Sequence, residues 1–512
     1  MKERSKNFFK LGIFILLLLW LGFLMTRKID LASADLGRHL KNGEWVVNSG
    51  FNFSEKHSPI YENFYSYTHP EFPVVNHHWG SGAIFYLIWK GTGFAGLSLF
   101  YIILGLAAFL LFFLLSVEEL NFTLVTLFSF SLAPLIAERV EIRPEAFSVL
   151  FSAVFFFVLW KYSRKEMNWK WLFILPAAMI FWVNLHVYFF LGFFLMGVFW
   201  LESFFKGDIA GIKKLGGISV LTVLAALLNP AGWRGLVYPF FIFQNYEYTI
   251  VENKSVSFVE NYGILNPNFS VIKAILVLMI LSFVLLFFIN RRKISMSLLI
   301  IAIFFGALGW MAIRNFTLLG LFALPVLSYN SYHIFRQKEG EINHAKENGI
   351  AVLYVILTVL GVYGNIQYVS AHGRDSGIGL KSGEEKAAEF IRQEKIAGPI
   401  FNNYDLGGYL IWELFPREKV FVDNRPAEYP GEFFTNIYKP MQENADVFEK
   451  VDREYNFNAV FFYSHDITPW GMNFLKIIKE NSEWAKIYSD DYLVIYLKKN
   501  EKNQSVIEEC QI

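Results

Sequence analysis

A cluster of residues suited to acid–base chemistry follows the first apolar run of the chain. Residues 11–25 are continuously apolar, and Asp35, Arg38 and His39 come shortly after them. An aspartate can accept a proton from an attacking hydroxyl or amine, so Asp35 is a candidate general base. Because Asp35 precedes a periodic helical pattern, a helix N-cap is the alternative interpretation. His39 lies one helical turn later on the same face, where it would orient Asp35, join a metal site or make only a surface contact.

Other polar residues stand at the predicted ends of later apolar runs. Ionisable groups at membrane depth are costly, and they usually mark a site or an ion pair. Because five separate chain ends contribute such groups to the same face, the sequence predicts one polar cleft there. The residues predicted to bind substrate in this cleft are His39, His77, His78, Arg143, Asn184, His186 and Arg314.

The adjacent histidines and the arginine before Pro144 each have an alternative role. Neighbouring residues on a helix diverge by about 100°, so His77 and His78 are predicted to contact substrate rather than share a metal ion. Packing against lipid headgroups is their alternative. Arg143 is well shaped to hold a phosphate with two parallel N–H donors. Ion pairs with the glutamates around it are the alternative for Arg143.

The candidates Asn184, His186 and Arg314 also have alternative interpretations that involve no substrate. Asn184 and His186 end an otherwise apolar run, where a hydrogen bond between helices fits as well as a substrate contact. Arg314 fits snorkelling toward lipid headgroups, because its long apolar stem can lie along a helix while its charge stays hydrated.

The composition places the chain in a membrane. Of its 512 residues 54% are hydrophobic, with 55 Phe and 14 Trp. The net charge of +1 excludes the strongly basic character expected of a nucleic-acid-binding protein. Cys510 is the single cysteine, which excludes an internal disulfide and a cysteine-based metal site.

Apolar runs of membrane-spanning length recur along the first two thirds of the chain. Runs of about 17–25 apolar residues are typical of transmembrane helices. The sequence therefore predicts an α-helical polytopic membrane protein with eleven spans. The predicted spans are 11–26, 94–116, 122–138, 145–161, 171–186, 187–205, 215–229, 270–290, 294–313, 316–335 and 349–368.

The basic residues between spans predict the orientation. With the amino terminus in the cytoplasm, every strongly basic short loop falls on the cytoplasmic side, as the positive-inside rule requires. The protein is therefore expected in the plasma membrane, with its carboxyl terminus outside. A basic stretch, an apolar run and the small residues 32–34 also resemble a secretory signal. The charged residues between that run and position 32 favour an uncleaved first span instead.

The composition changes near residue 373, which divides the chain into a transmembrane domain at 1–372, with an outer loop at 27–93, and an extracytoplasmic domain at 373–512. Short β-branched and aromatic runs alternate there with amphipathic patterns, which predicts a small α/β domain. The glycines at 407–408 suggest either a phosphate loop or close helix packing. The predicted strands are 398–402, 419–423, 458–463, 484–490 and 492–499. The predicted helices are 384–395, 406–414, 432–441, 445–455 and 470–480.

Several stretches resemble a known superfamily. DLGRHLKNGEW at 35–45 resembles the acidic first-loop motif of GT-C glycosyltransferases, multi-span enzymes such as protein O-mannosyltransferases and aminoarabinose transferases. Many members carry two adjacent acidic residues in this loop, whereas Asp35 is flanked by Ala34 and Leu36. The stretches that resemble a bacterial branch of the superfamily are 65–88, 142–151, 182–192, 228–233, 402–412 and 420–430.

The resemblance implies a GT-C-like fold and a sugar transfer. The donor would be a polyprenyl-phosphate-linked sugar in the bilayer, and the acceptor a glycan, a lipid or a protein. In such a reaction Asp35 would be the catalytic base and Arg143 would bind the lipid phosphate. The resemblance requires no particular cofactor, and a divalent metal stays open. A lipid-linked glycan polymerase or ligase, and a non-enzymatic transporter or lipid-handling protein, are the alternatives.

Overall fold

The computed structural model describes residues 2–242, 247–335 and 375–510, together with short stretches between 349 and 367. Within these residues six helices are long and apolar enough to cross a membrane, and four shorter apolar helices lie among them. Each of these helices overlaps one predicted span. The remaining predicted span, 349–368, falls partly outside the described residues. The architecture is therefore that of an α-helical polytopic membrane protein.

Side-chain caps begin several of these helices. Asn121, Asp208 and Ser295 each accept a hydrogen bond from a backbone N–H group in the first turn of the helix that follows, which satisfies donors that a helix start leaves free. The helices of the first 335 residues are α1 (Lys2–Leu24), α2 (Leu36–Asn48), α3 (Trp79–Glu119), α4 (Phe122–Ile136), α5 (Glu145–Ser163), α6 (Ile174–Leu185), α7 (Phe190–Phe205), α8 (Ile209–Ala226), α9 (Trp233–Val237), α10 (Val256–Asn261), α11 (Asn268–Asn290), α12 (Met296–Met311) and α13 (Phe316–Phe335).

Helix α3 begins well before the span predicted at 94–116. It is interrupted at Gly93, whose φ of 65° and ψ of −170° are not helical. The part before Gly93 belongs to the predicted outer loop 27–93 and packs against α2. A Cβ on Gly43 of α2 would lie only 2.0 Å from the carbonyl oxygen of Gly82. The backbones of the two helices are therefore in contact, and the predicted loop 27–93 contains packed helices.

Helix α13 is the most enclosed of the apolar helices, with 94% of its most apolar window buried. Its residues contact the aromatic core, where Phe322 stacks on Phe305 at a ring-centroid distance of 3.8 Å. Phe322 also meets Phe112 and Phe156 edge-on. The close packing of these large rings holds α3, α5 and α12 around α13.

A four-stranded sheet forms after residue 399, which confirms the predicted small α/β fold. Its spatial order is β1–β2–β4–β3, with β1 parallel to β2 and the other pairs antiparallel. The register places Ile400 beside Ala459 and Phe461 beside Ile495. The strands are β1 (Ile400–Asn402), β2 (Ala459–Tyr463), β3 (Trp484–Ser489) and β4 (Leu493–Lys498).

The strand predicted at 419–423 is wrong. This stretch forms only a single bridge, between Val420 and Ser66. The side chain of Asn402 takes the place of a ladder, because its Oδ1 accepts the Phe421 N–H at 2.9 Å and its Nδ2 donates to the Val422 carbonyl at 2.7 Å. The segment therefore lies beside β1 without joining the sheet.

The helix predicted at 432–441 is broken into three pieces. A π-helical stretch at Phe434–Tyr438 interrupts it, and Pro440 begins the last piece because it has no N–H to continue the preceding turn. The helices after residue 375 are α14 (Glu384–Gln393), α15 (Gly407–Leu414), α16 (Gly431–Phe433), α17 (Pro440–Glu443), α18 (Ala445–Tyr455), α19 (Pro469–Glu480) and α20 (Gln504–Cys510).

The carboxy-terminal part packs directly on α2 and the residues before it. Both oxygens of the Glu384 carboxyl accept the Leu31 N–H at 2.9 Å. A Cβ on Gly37 would lie 2.5 Å from the carbonyl oxygen of Gly408. A Cβ on Gly407 would lie 2.4 Å from the Cα of Asp423. Close helix packing therefore accounts for the glycine pair that also suggested a phosphate loop.

Candidate functional site

A cavity of about 180 Å³ lies at the junction between the helical bundle and the carboxy-terminal part. Its walls come from α2, the residue pair before α3, the turn before α5, the end of α6 and the segment 425–428. The bundle and the sheet-containing part thus each supply one side. Seven of the eight candidate site residues line it, namely Asp35, His39, His77, His78, Arg143, His186 and Arg314.

Asn184 does not line this cavity. Its Oδ1 accepts a 2.8 Å hydrogen bond from Trp79 Nε1, and its Nδ2 donates to the carbonyl oxygens of Ile180 and Leu228, each at 2.8 Å. These bonds join α6 to the start of α3 and to the chain after α8. Asn184 therefore makes hydrogen bonds between helices, which was the alternative interpretation of this residue in the sequence analysis.

Asp35 precedes the first residue of α2, but its side chain makes no capping hydrogen bond. Its Oδ2 lies 3.6 Å from Arg143 Nη1 instead. The N-cap interpretation therefore does not describe this carboxylate, which faces a guanidinium across the cavity. A carboxylate in this position can accept a proton from a group bound beside Arg143.

Three arginines form one cationic group on the bundle side of the cavity. Arg139 contacts Glu145 and Glu252, each at 2.9 Å. Arg314 lies 3.3 Å from Glu145 and 3.5 Å from Glu252. Arg143 lies 3.3 Å from Glu252. Arg314 thus belongs to a mostly buried ion-pair group rather than extending to lipid headgroups.

Arg38 holds two of the histidines. Its Nη1 lies 3.0 Å from His78 Nε2, and its Nη2 lies 3.5 Å from His39 Nε2. Since a guanidinium only donates, both imidazoles accept at Nε2 and carry their proton on Nδ1. Burial, together with the charge of Arg38, lowers the pKa of His39 well below its usual value. His39 is buried, so the surface contact considered for it in the sequence does not apply.

The two histidines held by Arg38 have unused donors. Neither His39 Nδ1 nor His78 Nδ1 has a hydrogen-bond partner, although both are buried. A buried N–H without a partner is costly. Both rings also line the cavity, so a bound ligand with hydroxyl or carbonyl oxygens would satisfy them.

His77 and His186 complete the imidazole lining. His77 Nδ1 lies 3.2 Å from the Val75 carbonyl and donates to it, which leaves Nε2 as an acceptor. Burial lowers the pKa of His77 to about 4, so the ring is neutral near pH 7. His186 Nδ1 lies 2.8 Å from Ser148 Oγ, which itself accepts from Trp182 Nε1 at 2.7 Å. This bond joins α5 to the end of α6 and fixes the plane of the His186 ring.

The carboxy-terminal wall centres on Arg425. Its Nη2 donates to Asp423 Oδ2 at 2.6 Å and to Asn63 Oδ1 at 3.0 Å, and the Glu428 carboxyl lies against its Nη1. Asn63 lies in the stretch between α2 and α3, so this wall is attached to that stretch. Burial raises the pKa of Glu428 to about 7.

Four charged residues that line the cavity, and Glu252 beside it, were not among the sequence candidates. Arg38 follows Asp35 in the first motif, and Arg425 with Glu428 lie in the quoted stretch 420–430, so both stretches carried a signal. Glu145 directly follows the Pro144 that marked the start of a span. Glu252, which contacts the arginines from a loop without periodic pattern, had no signal in the sequence.

A divalent metal does not fit these residues. Among the described residues no group of three His, Cys, Asp or Glu side chains is placed to hold a metal ion. Asp35, Glu145 and Glu428 each face an arginine, and Arg38 holds His39 and His78 through Nε2. Cations already occupy the places where a metal would need free lone pairs.

Sequence comparison identifies no relative, whereas structural comparison does. No protein-family model matches the chain, and no curated protein matches it. Its structure is similar to an archaeal oligosaccharyltransferase, AglB from Archaeoglobus fulgidus, in complex with an inhibitory peptide and a dolichol-phosphate. The TM-score is 0.61 at 13% identity, over 97% of this chain and 75% of that chain.

A second kind of neighbour matches over nearly the full length of both chains. ArnT from Cupriavidus metallidurans in the apo state has a TM-score of 0.53 at 12% identity, over 97% of this chain and 98% of that one. ArnT bound to undecaprenyl phosphate has a TM-score of 0.51 at 14% identity, over 95% and 97%. The neighbours are GT-C glycosyltransferases, and at these identities the likeness establishes the fold.

Proposed function

We propose that this chain, which has the fold of the GT-C glycosyltransferases, transfers a sugar from a polyprenyl-phosphate-linked donor to an acceptor at the outer face of the membrane. The observation that carries the proposal is the pairing of Asp35 with Arg143 in one cavity, 3.6 Å apart. A candidate base and a candidate phosphate ligand thus line the same cavity. The solved neighbours that contain dolichol-phosphate and undecaprenyl phosphate support a lipid phosphate as the donor.

Two opposite charges are needed for this transfer. The acceptor hydroxyl or amine loses a proton as it attacks the sugar, and Asp35 accepts it. The bond between the sugar and the phosphate breaks, and negative charge develops on the departing phosphate oxygen. Arg143, with Arg139 and Arg314 beside it, stabilises that charge. An arginine serves better than a lysine here because its two parallel donors match two phosphate oxygens.

The imidazoles are assigned to the sugar and to the acceptor. His39 and His78 offer unpartnered Nδ1 donors, and His77 offers an Nε2 acceptor. Neutral rings bind sugar hydroxyls without attracting a second anion into the cavity. Fixed rings also exchange their own hydrogen bonds for those of the ligand at little cost in conformational freedom.

The topology and the domain boundaries are part of the proposal. The amino terminus lies in the cytoplasm and the carboxy-terminal domain outside, because the basic loops then fall on one side. The transmembrane domain comprises 1–372 with the outer loop 27–93, and the extracytoplasmic domain comprises 373–512. The cavity then lies at the outer headgroup level, where a lipid-linked donor can present its sugar without leaving the bilayer.

Sugar transfer can be tested directly in reconstituted membranes. The purified chain is placed in liposomes with undecaprenyl-phosphate-linked sugars carrying a radioactive label, and glycans, lipids and peptides are offered as acceptors. Labelled product with the wild type and none with the Asp35→Asn variant supports the proposal. Products longer than one sugar would favour a polymerase or ligase. Movement of intact lipid across the bilayer without any labelled product would favour a transporter and contradict the proposal.

A further inference from the structure

A short segment between α9 and α10, residues 247–253, connects the two walls of the cavity. Ile250 and Asn253 of this segment line the cavity itself. On one side of them the Tyr248 ring lies against the carboxy-terminal part. On the other side the Glu252 carboxylate lies against the arginines of the bundle. The segment is thus attached to both walls of the cavity that it lines.

Tyr248 occupies a pocket of aromatic rings in the carboxy-terminal part. Its ring stacks on Tyr404 at a centroid distance of 4.2 Å and an interplanar angle of 25°. Phe434 and Tyr438 lie at 5.2 and 6.5 Å, and Trp470 meets the ring edge-on at 6.0 Å. Stacked and edge-on pairs are the favoured arrangements of aromatic rings, so this pocket holds Tyr248 in one orientation.

The pocket is itself fixed, and it also holds the backbone before Tyr248. The Tyr404 N–H donates to Tyr438 Oη at 2.7 Å, and both residues are buried. Lys439 Nζ donates to the Glu247 carbonyl oxygen and lies 5.9 Å from the centroid of the Tyr248 ring. A cation over a ring face is attracted to it. Contacts of two different kinds therefore attach the start of the segment to the carboxy-terminal part.

Glu252 attaches the other end of the segment to the bundle. Its Oε2 lies 2.9 Å from Arg139 and 3.5 Å from Arg314, and its Oε1 lies 3.3 Å from Arg143. Within the part of the chain that the structure describes, it is the one carboxylate that contacts all three arginines. Neighbouring guanidiniums repel each other, so the carboxylate between them controls where each can lie.

The segment is too short to separate its two ends mechanically. Only three residues stand between Tyr248 and Glu252, and the 3-10 turn Val251–Asn253 fixes the direction of the Glu252 side chain. After Glu252 the chain is next buried at Val256, in the first turn of α10. Tyr248 and Val256 thus hold Glu252 from either side, and only Tyr248 does so through the carboxy-terminal part.

We propose that Tyr248 is a positioning residue for the transfer, through which the carboxy-terminal part holds Glu252, and with it Arg143, in place at the cavity. This role rests on the proposed function, in which Arg143 binds the lipid phosphate. Tyr248 acts through Glu252, which orients the cation before negative charge develops on the phosphate. The carboxy-terminal part thereby shares in the reaction, although Asp35 and Arg143 both lie outside it.

Variants at both ends of the segment test this role. Transfer by the reconstituted full chain is measured for Tyr248→Ala, Tyr248→Phe, Glu252→Gln and the double variant Tyr248→Ala/Glu252→Gln, together with every melting temperature. Tyr248→Phe keeps the ring, and Glu252→Gln keeps the size of the side chain but removes its charge. Tyr262→Ala is the matched control, because Tyr262 directly follows α10 and is 65% exposed. Tyr248→Leu takes the place of Tyr248→Ala if the latter does not fold.

We expect Tyr248→Ala and Glu252→Gln each to lower the transfer rate roughly tenfold, because a misplaced phosphate ligand loses its catalytic orientation. Tyr248→Phe and Tyr262→Ala should transfer at nearly the wild-type rate. The double variant should lose about as much as either single variant, since the two residues act through one another.

Losses that multiply in the double variant would mean that Tyr248 acts independently of Glu252, and would overturn the proposal. Wild-type activity in Tyr248→Ala, or a loss in Tyr248→Phe as large as that in Tyr248→Ala, would also overturn it. A wild type without transfer activity would refute the proposed function and this role together, whereas multiplied losses in an active enzyme overturn the role alone.

Discussion

Arg143 Nη1 lies 3.6 Å from Asp35 Oδ2, although the two residues are separated by the whole of α2, α3 and α4. In a sugar transfer a base accepts the proton of the attacking hydroxyl or amine, and a cation stabilises the charge on the departing phosphate. A base and a phosphate ligand must therefore line the same cavity, and this pair does. The first two predictions address each partner separately.

Removing the charge of Asp35 should abolish most of the transfer. Asp35→Asn keeps the size of the side chain and removes its capacity to accept a proton, so the rate should fall by roughly 10²–10⁴-fold. Because Asp35 makes no capping bond, the melting temperature of Asp35→Asn and of Asp35→Ala should stay near that of the wild type. The control is Asp30→Asn, whose carboxylate faces Lys381 rather than the cavity. A fully active Asp35→Asn enzyme would refute the assignment.

Changing the shape of the cation at Arg143 should weaken catalysis without removing charge. Arg143→Lys loses the two parallel donors that match a phosphate, so transfer should fall by roughly tenfold or more. Arg164→Lys is the matched control at the other end of α5, where Arg164 pairs with Glu119 far from the cavity. Initial rates at several donor concentrations would separate a binding effect from a rate effect. Wild-type activity in Arg143→Ala would exclude Arg143 from the site.

The buried Glu384 should make stability depend on pH. Burial raises the pKa of Glu384 from 4.5 to about 8. Folding thus favours the protonated carboxyl, so its contribution to stability is full below the unfolded pKa and is lost as the pH rises through about 8. Glu384→Gln keeps an acceptor for the Leu31 N–H and cannot ionise. The melting temperature of the wild type should therefore fall relative to this variant between about pH 5 and pH 9. Glu385→Gln, which changes an exposed neighbouring side chain, is the control, and its melting temperature should follow that of the wild type across this pH range. Melting temperatures of the wild type and Glu384→Gln that change in parallel with pH would contradict the prediction.

A side chain at position 37 should destabilise the protein, because the backbones of α2 and α15 are in contact there. A methyl group on Gly37 would meet the Gly408 carbonyl oxygen at 2.5 Å and Trp412 Cβ at 3.1 Å. Since backbone cannot move aside as a flexible side chain can, Gly37→Ala should lose about 1–3 kcal/mol of stability. It should also lower activity, because Asp35 lies at the start of the same helix. Gly197→Ala is the control, since a Cβ there meets nothing within 4 Å. Chemical denaturation of both variants tests the difference, and equal stability would contradict it.

The orientation in the membrane can be tested with single cysteines in a Cys510→Ser background. Glu55→Cys, His465→Cys and Lys165→Cys all place the new thiol at an exposed position. A membrane-impermeant maleimide should label the first two on intact cells and the third only after permeabilisation. The expectation follows from the positive-inside rule, because Lys165 lies in a basic loop. Labelling of His465→Cys only after permeabilisation would reverse the proposed topology.

The sequence by itself determined the helices of the bundle. A run such as 316–335 is predominantly apolar, and its hydrogen bonds are local, so its limits can be read without knowing its neighbours. The strands around Phe461 and Ile495 could also be predicted, because their β-branched and aromatic residues suit a buried sheet, although their hydrogen bonds are not local. Asp35 was also identifiable, because an ionisable residue near the end of a predicted span usually marks a site or an ion pair.

The tertiary structure alone determined the features that depend on contacts between residues far apart in the sequence. The stretch at 419–423 has the composition of a strand, but the side chain of Asn402 takes its backbone hydrogen bonds. Glu252 lies more than a hundred residues from Arg143 in the chain, and no periodicity could place it among the arginines.

Asn184 and His186 show the same limit within two positions. Helix α6 ends at Leu185, and His186 is extended, with φ −164° and ψ 145°. Asn184 therefore stays on the helix face toward Trp79, while the His186 ring reaches Ser148 and the cavity. From their residue types, both Asn184 and His186 were predicted to make polar contacts near the membrane surface. Which of them faces the cavity was decided by where the helix ends and what packs against it.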